Sequence, residues 1–225
     1  MRIAILGAGN VGGSLGRRWA DAGHDVRFGV RRPEAGADAV KGGRGGGKGE
    51  ALPSRCAVVA PAEAVREANV VVLATPWGAV GDALREAGAD SGALDGRPLL
   101  DATNPLKAGF ALDVGSNGES GAERVQALVP NAHVVKVFNT TGAENIRDPS
   151  YAGAATVMVY AGNDSGAKRV AHELASTLGF DPVDAGVLMR ARELEHLAAL
   201  WIALANGATG APALGRNFAF RLVRR

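Results

Sequence analysis

Gly7, Gly9 and Gly12 stand at the spacing Gly-x-Gly-x-x-Gly, directly after the apolar run Ile3-Ala-Ile-Leu6. A helical pattern continues from Val11 to about Ala22. A strand, a glycine turn and a helix in that order make a seat for the pyrophosphate of a dinucleotide. Gly7 permits the tight turn out of the strand. Gly9 lacks a Cβ, so a phosphate can come close to the backbone, and Gly12 lets the helix lie close to the sheet. The free amides and positive dipole end of the helix supply the attraction. The spacing alone is common; the strand before it and the helix after it make it specific.

A second chemical signal lies about 20 residues further on, where an NAD-binding chain places an acid on the adenosine ribose. Here the second strand ends in Gly29-Val30-Arg31-Arg32, with no Asp or Glu from Phe28 to Arg32. A guanidinium offers a planar fork of donors that suits a 2′-phosphate. Arg31 and Arg32 therefore predict NADP rather than NAD. The alternative is a solvated pair balanced by Glu34 and Asp38.

These groups need a frame, and the chain alternates strand and helix signals. Strands are expected at residues 25–30, 56–60, 69–75, 98–102 and 133–139, with helices around 62–67, 79–87 and 122–129. Asn69-Val-Val-Val-Leu-Ala-Thr75 is continuously apolar and β-branched at its centre, as in a strand buried on both faces. The rhythm predicts an α/β fold with a doubly wound parallel sheet. A boundary is expected near residue 150, dividing a dinucleotide-binding part (1–150) from a C-terminal extension (151–225). The extension reads as a strand at 155–160, a helix capped by Asn163 or Asp164, a strand at 181–184 and a long helix from Leu188 to about Asn206. Such an apolar helix is buried in a core or at a subunit interface. Leu194, Leu197, Ala198, Leu200, Trp201, Ile202 and Leu204 give it more apolar surface than a small extension can easily cover, which predicts a homodimer that buries part of it.

In such a sheet, ligands bind beyond the carboxyl ends of the strands. Thr75-Pro76-Trp77, Thr103-Asn104-Pro105 and Asn139-Thr140-Thr141 all fall just past expected strand ends. Thr141 with Glu144 reads as a capping box. Asn139 and Thr140 have no such structural excuse.

Composition narrows the function classes. A net charge of +2 on 225 residues suggests no nucleic-acid partner. One cysteine, Cys56, excludes an internal disulfide and fits a reducing cytoplasm. The N-terminal apolar run is too short for a signal peptide, and Leu197 to Leu204 is too short to span a membrane. Glu193-x-x-His196 has the spacing of a di-iron ligand pair but lacks the second copy such a site needs, and His24, His133 and His172 are scattered without ligand spacing, so no metal is expected. Gly12-Gly-Ser-Leu-Gly16 imitates a hydrolase elbow, but Ser14 falls inside the helix. Lys41 to Glu50 is glycine-rich and basic but lacks the strand and Lys-Ser/Thr of a P-loop, and reads as a surface loop.

The chain resembles the small reductases that pass hydride between NADP and the deazaflavin coenzyme F420, with the oxidoreductase domains of the STEAP metalloreductases as relatives. The resemblance covers nearly the whole length. It rests on Gly7 to Gly12, Gly23-His24, Gly29 to Arg32, Ala74-Thr-Pro-Trp77, Val137-Phe-Asn-Thr140 and Asp184-Ala-Gly186. At Phe138-Asn139-Thr140 it is nearer the STEAP-like pattern. It implies that Ala8, Gly9, Asn10 and Val11 hold the pyrophosphate and Arg31 the 2′-phosphate. It also implies that Thr75-Pro76, Asn104-Pro105 and Asn139-Thr140 line the cleft for nicotinamide and hydride acceptor. The expected protein is a cytoplasmic NADP-dependent oxidoreductase, with coenzyme F420 or a flavin as second substrate. Reduction of a ferric, carbonyl or imine substrate, and non-catalytic NADP sensing, are the alternatives.

Overall fold

The computed structural model describes residues 1–40, 51–210 and 212–225. The glycine-rich stretch 41–50 lies outside the described residues. Ten strands and seven α-helices follow the chain among those described. The dinucleotide turn joins β1 (Arg2–Leu6) to α1 (Asn10–Asp21). Then come β2 (Asp25–Gly29), β3 (Cys56–Val59), α2 (Pro61–Arg66), β4 (Val70–Leu73) and α3 (Val80–Glu86). They are followed by β5 (Pro98–Asp101), α4 (Gly121–Leu128), β6 (His133–Lys136) and α5 (Ala143–Arg147). A small ribbon, β7 (Ser150–Tyr151) and β8 (Ala154–Ala155), precedes β9 (Val157–Gly162), α6 (Ser165–Thr177), β10 (Asp181–Asp184) and α7 (Ala191–Asn206).

Eight strands form one sheet in the order β10-β9-β6-β5-β4-β1-β2-β3. The fold is the doubly wound α/β sandwich that the strand-helix rhythm predicts. The sheet is parallel except where β6 meets β9. The chain leaves β1 toward β2 and β3, then returns to β4 on the other side of β1. The order therefore reverses between β1 and β4, and the crevice of such a sheet opens there.

Val70 to Leu73 are all wholly buried, as their apolar run requires. One side of the sheet packs Leu15, Trp19, Phe138 and Leu174 around α1 and α6. The other packs Val65, Leu84, Leu94 and Val125 beneath α2, α3 and α4. Trp19 donates from Nε1 to the Leu174 carbonyl at 3.1 Å and so ties α1 to α6. Asp164 caps α6, accepting from the Ala167 amide at 2.7 Å, as expected.

One local expectation needs correction. Thr141 and Glu144 form no capping box: α5 starts after Gly142 without a side-chain cap. Thr141 Oγ1 instead accepts from Asn145 Nδ2, and Glu144 pairs with Arg216. The last helix is buried in part by the chain itself. Leu194, Ala198 and Trp201 are buried within the chain, whereas Leu200 remains half exposed. Among the described residues no helix is long and apolar enough to cross a membrane.

Candidate active site

The turn after β1 has the steric form its glycines predict, with one change. Gly7 adopts φ 107°, and a Cβ there would lie 2.6 Å from the Ala74 carbonyl oxygen. At Gly12 a Cβ would collide with the Gly7 carbonyl, so this glycine protects the turn itself. The close approach of α1 to the sheet occurs one turn later, at Gly16, against Phe28 and Ile5. Nothing lies within 4 Å of the Cβ position at Gly9. The first turn of α1 has no side-chain cap and no acidic residue. Its amides are left for an external acceptor at the positive end of the dipole, and that arrangement suits a pyrophosphate. Ala8 is buried behind the turn, while Asn10 is exposed at its front.

Arg31 and Arg32 follow β2 at the surface. Arg31 does not pair with Glu34 or Asp38, the balance that the alternative reading supposed. Arg31 forks to Glu86 (Nε to Oε1, 3.0 Å) and Asp82 (Nη2 to Oδ2, 3.2 Å), both on α3. Its side chain is 57% exposed, so these pairs are weak and screened. Arg32 makes no ion pair among the described residues. A guanidinium held loosely by neighbouring carboxylates remains free to turn to a phosphate.

A cavity of about 310 Å³ opens beside the turn. Asn10 and Val11 line it together with Asn104 from the loop after β5 and Asn139 from the loop after β6. The C-terminal part contributes Trp201, Ile202 and Asn206 from α7, and Arg216 from the tail that folds back beyond it. Phe110 completes the rim, in a left-handed conformation (φ 66°) and nearly half exposed. Sequence reasoning read Trp201 and Ile202 only as apolar surface for a core or a subunit interface, and passed over Phe110 and Arg216. Local pattern carries no sign that these distant segments meet.

The other predicted residues are nearby but do not line this cavity. Thr75 follows β4 and backs the fingerprint turn, its backbone nitrogen 3.1 Å from the Cβ position at Gly7. Pro76 is exposed and Thr140 buried. Pro105 packs at the start of α4, near Gly121. Trp77 donates to Asp113 at 3.3 Å and lies under the Arg124 guanidinium, away from the cavity lining.

Beneath the strand ends is a charged cluster that the sequence reading missed. Lys136 is wholly buried. Its Nζ donates to Asp101 Oδ2 (2.9 Å), to the Thr103 carbonyl (2.7 Å) and to Glu195 Oε1 (2.8 Å). Glu195 also accepts from the Gly121 and Ala122 amides at the start of α4, at 2.8 and 3.2 Å. Asp101 Oδ1 accepts from the Thr103 amide and hydroxyl. Burial pulls the Lys136 pKa down, but the charges of Asp101 and Glu195 overcome it and hold it above the usual lysine value. The ammonium stays charged, all three of its protons bonded. A charge inside an apolar strand was a legible sign that a buried partner must exist.

The cluster fixes the loop carrying Asn104 and Pro105 to β6 and to α7. Asn104 and Asn139 then clasp each other. Asn104 Nδ2 donates to the Asn139 carbonyl at 2.9 Å, and Asn139 Nδ2 to Asn104 Oδ1 at 3.0 Å.

The family model for NADP oxidoreductase, coenzyme F420-dependent, matches residues 2–105. A crystal structure from Arthrobacter sp. FB24, of a candidate F420-dependent NADP-reductase, is 32% identical and superposes with a TM-score of 0.82 over 100% of both chains. The chain belongs to the F420-dependent NADP oxidoreductase family. It is an NADP-dependent oxidoreductase. A hypothetical protein from Sinorhizobium meliloti is similar at 29% identity, with a TM-score of 0.70 over 97% of this chain and 95% of that one. The oxidoreductase is also 28% identical over 200 residues to metalloreductase STEAP3 of Rattus norvegicus, covering 87% of this chain and 36% of the relative. It spans about a third of the length of the curated relatives it matches.

Proposed function

We propose that this oxidoreductase passes hydride directly between NADPH and a planar acceptor of the coenzyme F420 type. The observation that carries the reading is the lining of the cavity. Asn10 and Val11 of the dinucleotide turn share it with Asn104, Asn139 and the aromatic residues Phe110 and Trp201. No carboxylate, histidine, lysine, cysteine or tyrosine is among the described residues that line it. Reduction of a carbonyl needs a proton donor at the developing alkoxide. Hydride delivery to the central carbon of a deazaflavin does not, because the accompanying proton can come from solvent. When bound, NADPH supplies that hydride from nicotinamide C4.

The residues of the chain then have positional work. The α1 amides receive the pyrophosphate, and Arg31 and Arg32 the 2′-phosphate. The Asn104–Asn139 clasp fixes the floor of the nicotinamide end. Phe110 and Trp201 flank the space for a flat ring, and residues 151–225 complete the cleft through α7 and the tail. The same reading makes the protein a cytoplasmic homodimer, joined through the exposed side of α7 around Leu200.

The test is an acceptor screen that follows NADPH absorbance with deazaflavin, flavins and ferric chelates. With NADPH deuterated at the transferred C4 position, the label should appear at C5 of the reduced deazaflavin. Deuterium released only to solvent, or reduction of flavin alone, would shift the reading to a flavin or ferric reductase. Tight NADPH binding without turnover of any acceptor would favour a sensor.

A further inference from the structure

Asn139 carries an acceptor that has nothing to accept. The residue is 4% exposed. Its Nδ2 donates to Asn104 Oδ1 at 3.0 Å and to the Leu194 carbonyl at 3.2 Å. Asn104 Oδ1 is itself fixed as the acceptor, since Asn104 Nδ2 is engaged with the Asn139 carbonyl. Exchanging nitrogen and oxygen in Asn139 would set oxygen against oxygen at both contacts, so the amide has one orientation. Among the described residues its Oδ1 is then buried without a partner. An unmet buried acceptor costs stability, and a native fold keeps one where something else supplies the donor.

The backbone points the same way. Phe138 adopts φ 64°, left-handed for a non-glycine residue. Its ring is wholly buried, edge-on to Trp19 with centroids 5.5 Å apart. Strain of this kind persists only where packing over-determines it, and it concentrates at ligand sites. Here it turns the chain immediately before the residue that carries the orphaned oxygen.

We propose that Asn139 Oδ1 accepts the carboxamide N–H of bound nicotinamide and thereby sets which face of the ring meets the hydride acceptor. This rests on the NADP reading of the cleft. Asn139 shares its cavity with Asn10 and Val11, so the donor must lie close to the pyrophosphate seat. At that end of NADP the donors are the carboxamide and the ribose hydroxyls. An amide N–H also suits the dry position of the oxygen. Asn139 is a positioning residue: the same side chain holds the Leu194 carbonyl, so it registers the nicotinamide against α7.

Binding of oxidised cofactors by calorimetry separates the possibilities without turnover. The probes are NADP⁺, its 3-acetylpyridine analogue, which keeps the ring and ribose but has no N–H, and its nicotinic acid analogue, which places a carboxylate there. Wild-type protein should prefer NADP⁺ over the acetylpyridine analogue about tenfold, the worth of one hydrogen bond to a buried acceptor. The nicotinic acid analogue should bind weakest. In Asn139→Leu the preference for NADP⁺ over acetylpyridine should fall below about twofold, and transfer from C4 should lose its stereospecificity. If that variant does not fold, the wild-type series decides alone. Equal affinity of wild type for NADP⁺ and the acetylpyridine analogue would overturn the assignment while leaving the cleft reading intact. An undiminished preference in folded Asn139→Leu would also overturn it, since another group would then hold the carboxamide. Failure of wild type to bind NADP⁺ at all would remove the cleft reading itself.

Discussion

Lys136 on β6 and Glu195 on α7 meet as a buried ion pair at 2.8 Å, 59 positions apart in sequence. Glu195 simultaneously caps the first amides of α4. One carboxylate therefore locks the last helix, the central sheet and the helix after β5 into a single arrangement around the cleft.

Lys136→Met should expose the worth of that lock. It leaves Asp101 and Glu195 buried without their cation, which costs about 3–5 kcal/mol. For a chain of this size the melting temperature should fall by roughly 10 °C. Urea unfolding of the two proteins measures the difference. A loss under about 1 kcal/mol would mean that the carboxylates find other partners or protonate cheaply.

Arg31 bears on cofactor choice. Arg31→Asp should weaken NADPH relative to NADH by about 2 kcal/mol, through lost charge-assisted bonds and added repulsion. Because Glu86 and Asp82 hold this guanidinium, Glu86→Gln should strengthen NADPH binding slightly and leave NADH unchanged. Equal affinity of the wild type for the two cofactors would contradict the role given to the arginines.

Glu123 gives a pH signature. Arg192, and then Ser120 at the start of α4, hold its carboxyl at about 2, below the ordinary 4.5. A depressed folded-state pKa adds stability above the unfolded value, and that stability is lost as pH falls through the folded value. Glu123→Gln should therefore lower stability by about 1 kcal/mol at neutral pH. The gap should narrow below pH 4.5 and close near pH 2. Denaturant midpoints measured across that range would show it; a constant gap would remove the titration from the account.

Phe110 is expected to act on the acceptor and not on the nucleotide. Phe110→Gly removes the ring and suits the left-handed backbone there, so folding should not suffer. KM for the planar acceptor should rise about tenfold, with the NADPH dissociation constant unchanged. A parallel rise in both constants would show that the loop supports the nucleotide instead.

Assembly can be read from mass. Leu200 on α7 remains 51% exposed, and with Phe110, Leu112, Ala199 and Ala203 it borders an apolar groove. Light scattering at micromolar concentration should give twice the chain mass, and Leu200→Glu should give the single-chain mass. A wild-type monomer would contradict the expected homodimer.

Much of this molecule was legible from residue order. The Gly7–Gly12 turn, the buried run Val70 to Leu73, the Asp164 cap and the doubly wound plan all follow from short-range rules. Strand periodicity, turn sterics and helix capping act over a few residues, so their traces are local. The same rules place Asn104 and Asn139 beyond strand ends. Where long-range pairing decides, the chain alone misled or said nothing. Nothing in the residue order signalled that Arg31 would meet Glu86 and Asp82 on α3. Thr141 accepts from the Asn145 side chain instead of capping α5, and no local pattern showed that Trp201 would bond the Phe218 carbonyl of the returning tail. The Lys136 ammonium needed acceptors from β5, the following loop and α7, and no local pattern specifies which distant carboxylates a buried charge will meet. The Asn104–Asn139 clasp likewise exists only because adjacent strands bring two loops together. Sequence determined the Gly7–Gly12 turn through backbone geometry; packing across the sheet decided which side chains close around the cavity beside it.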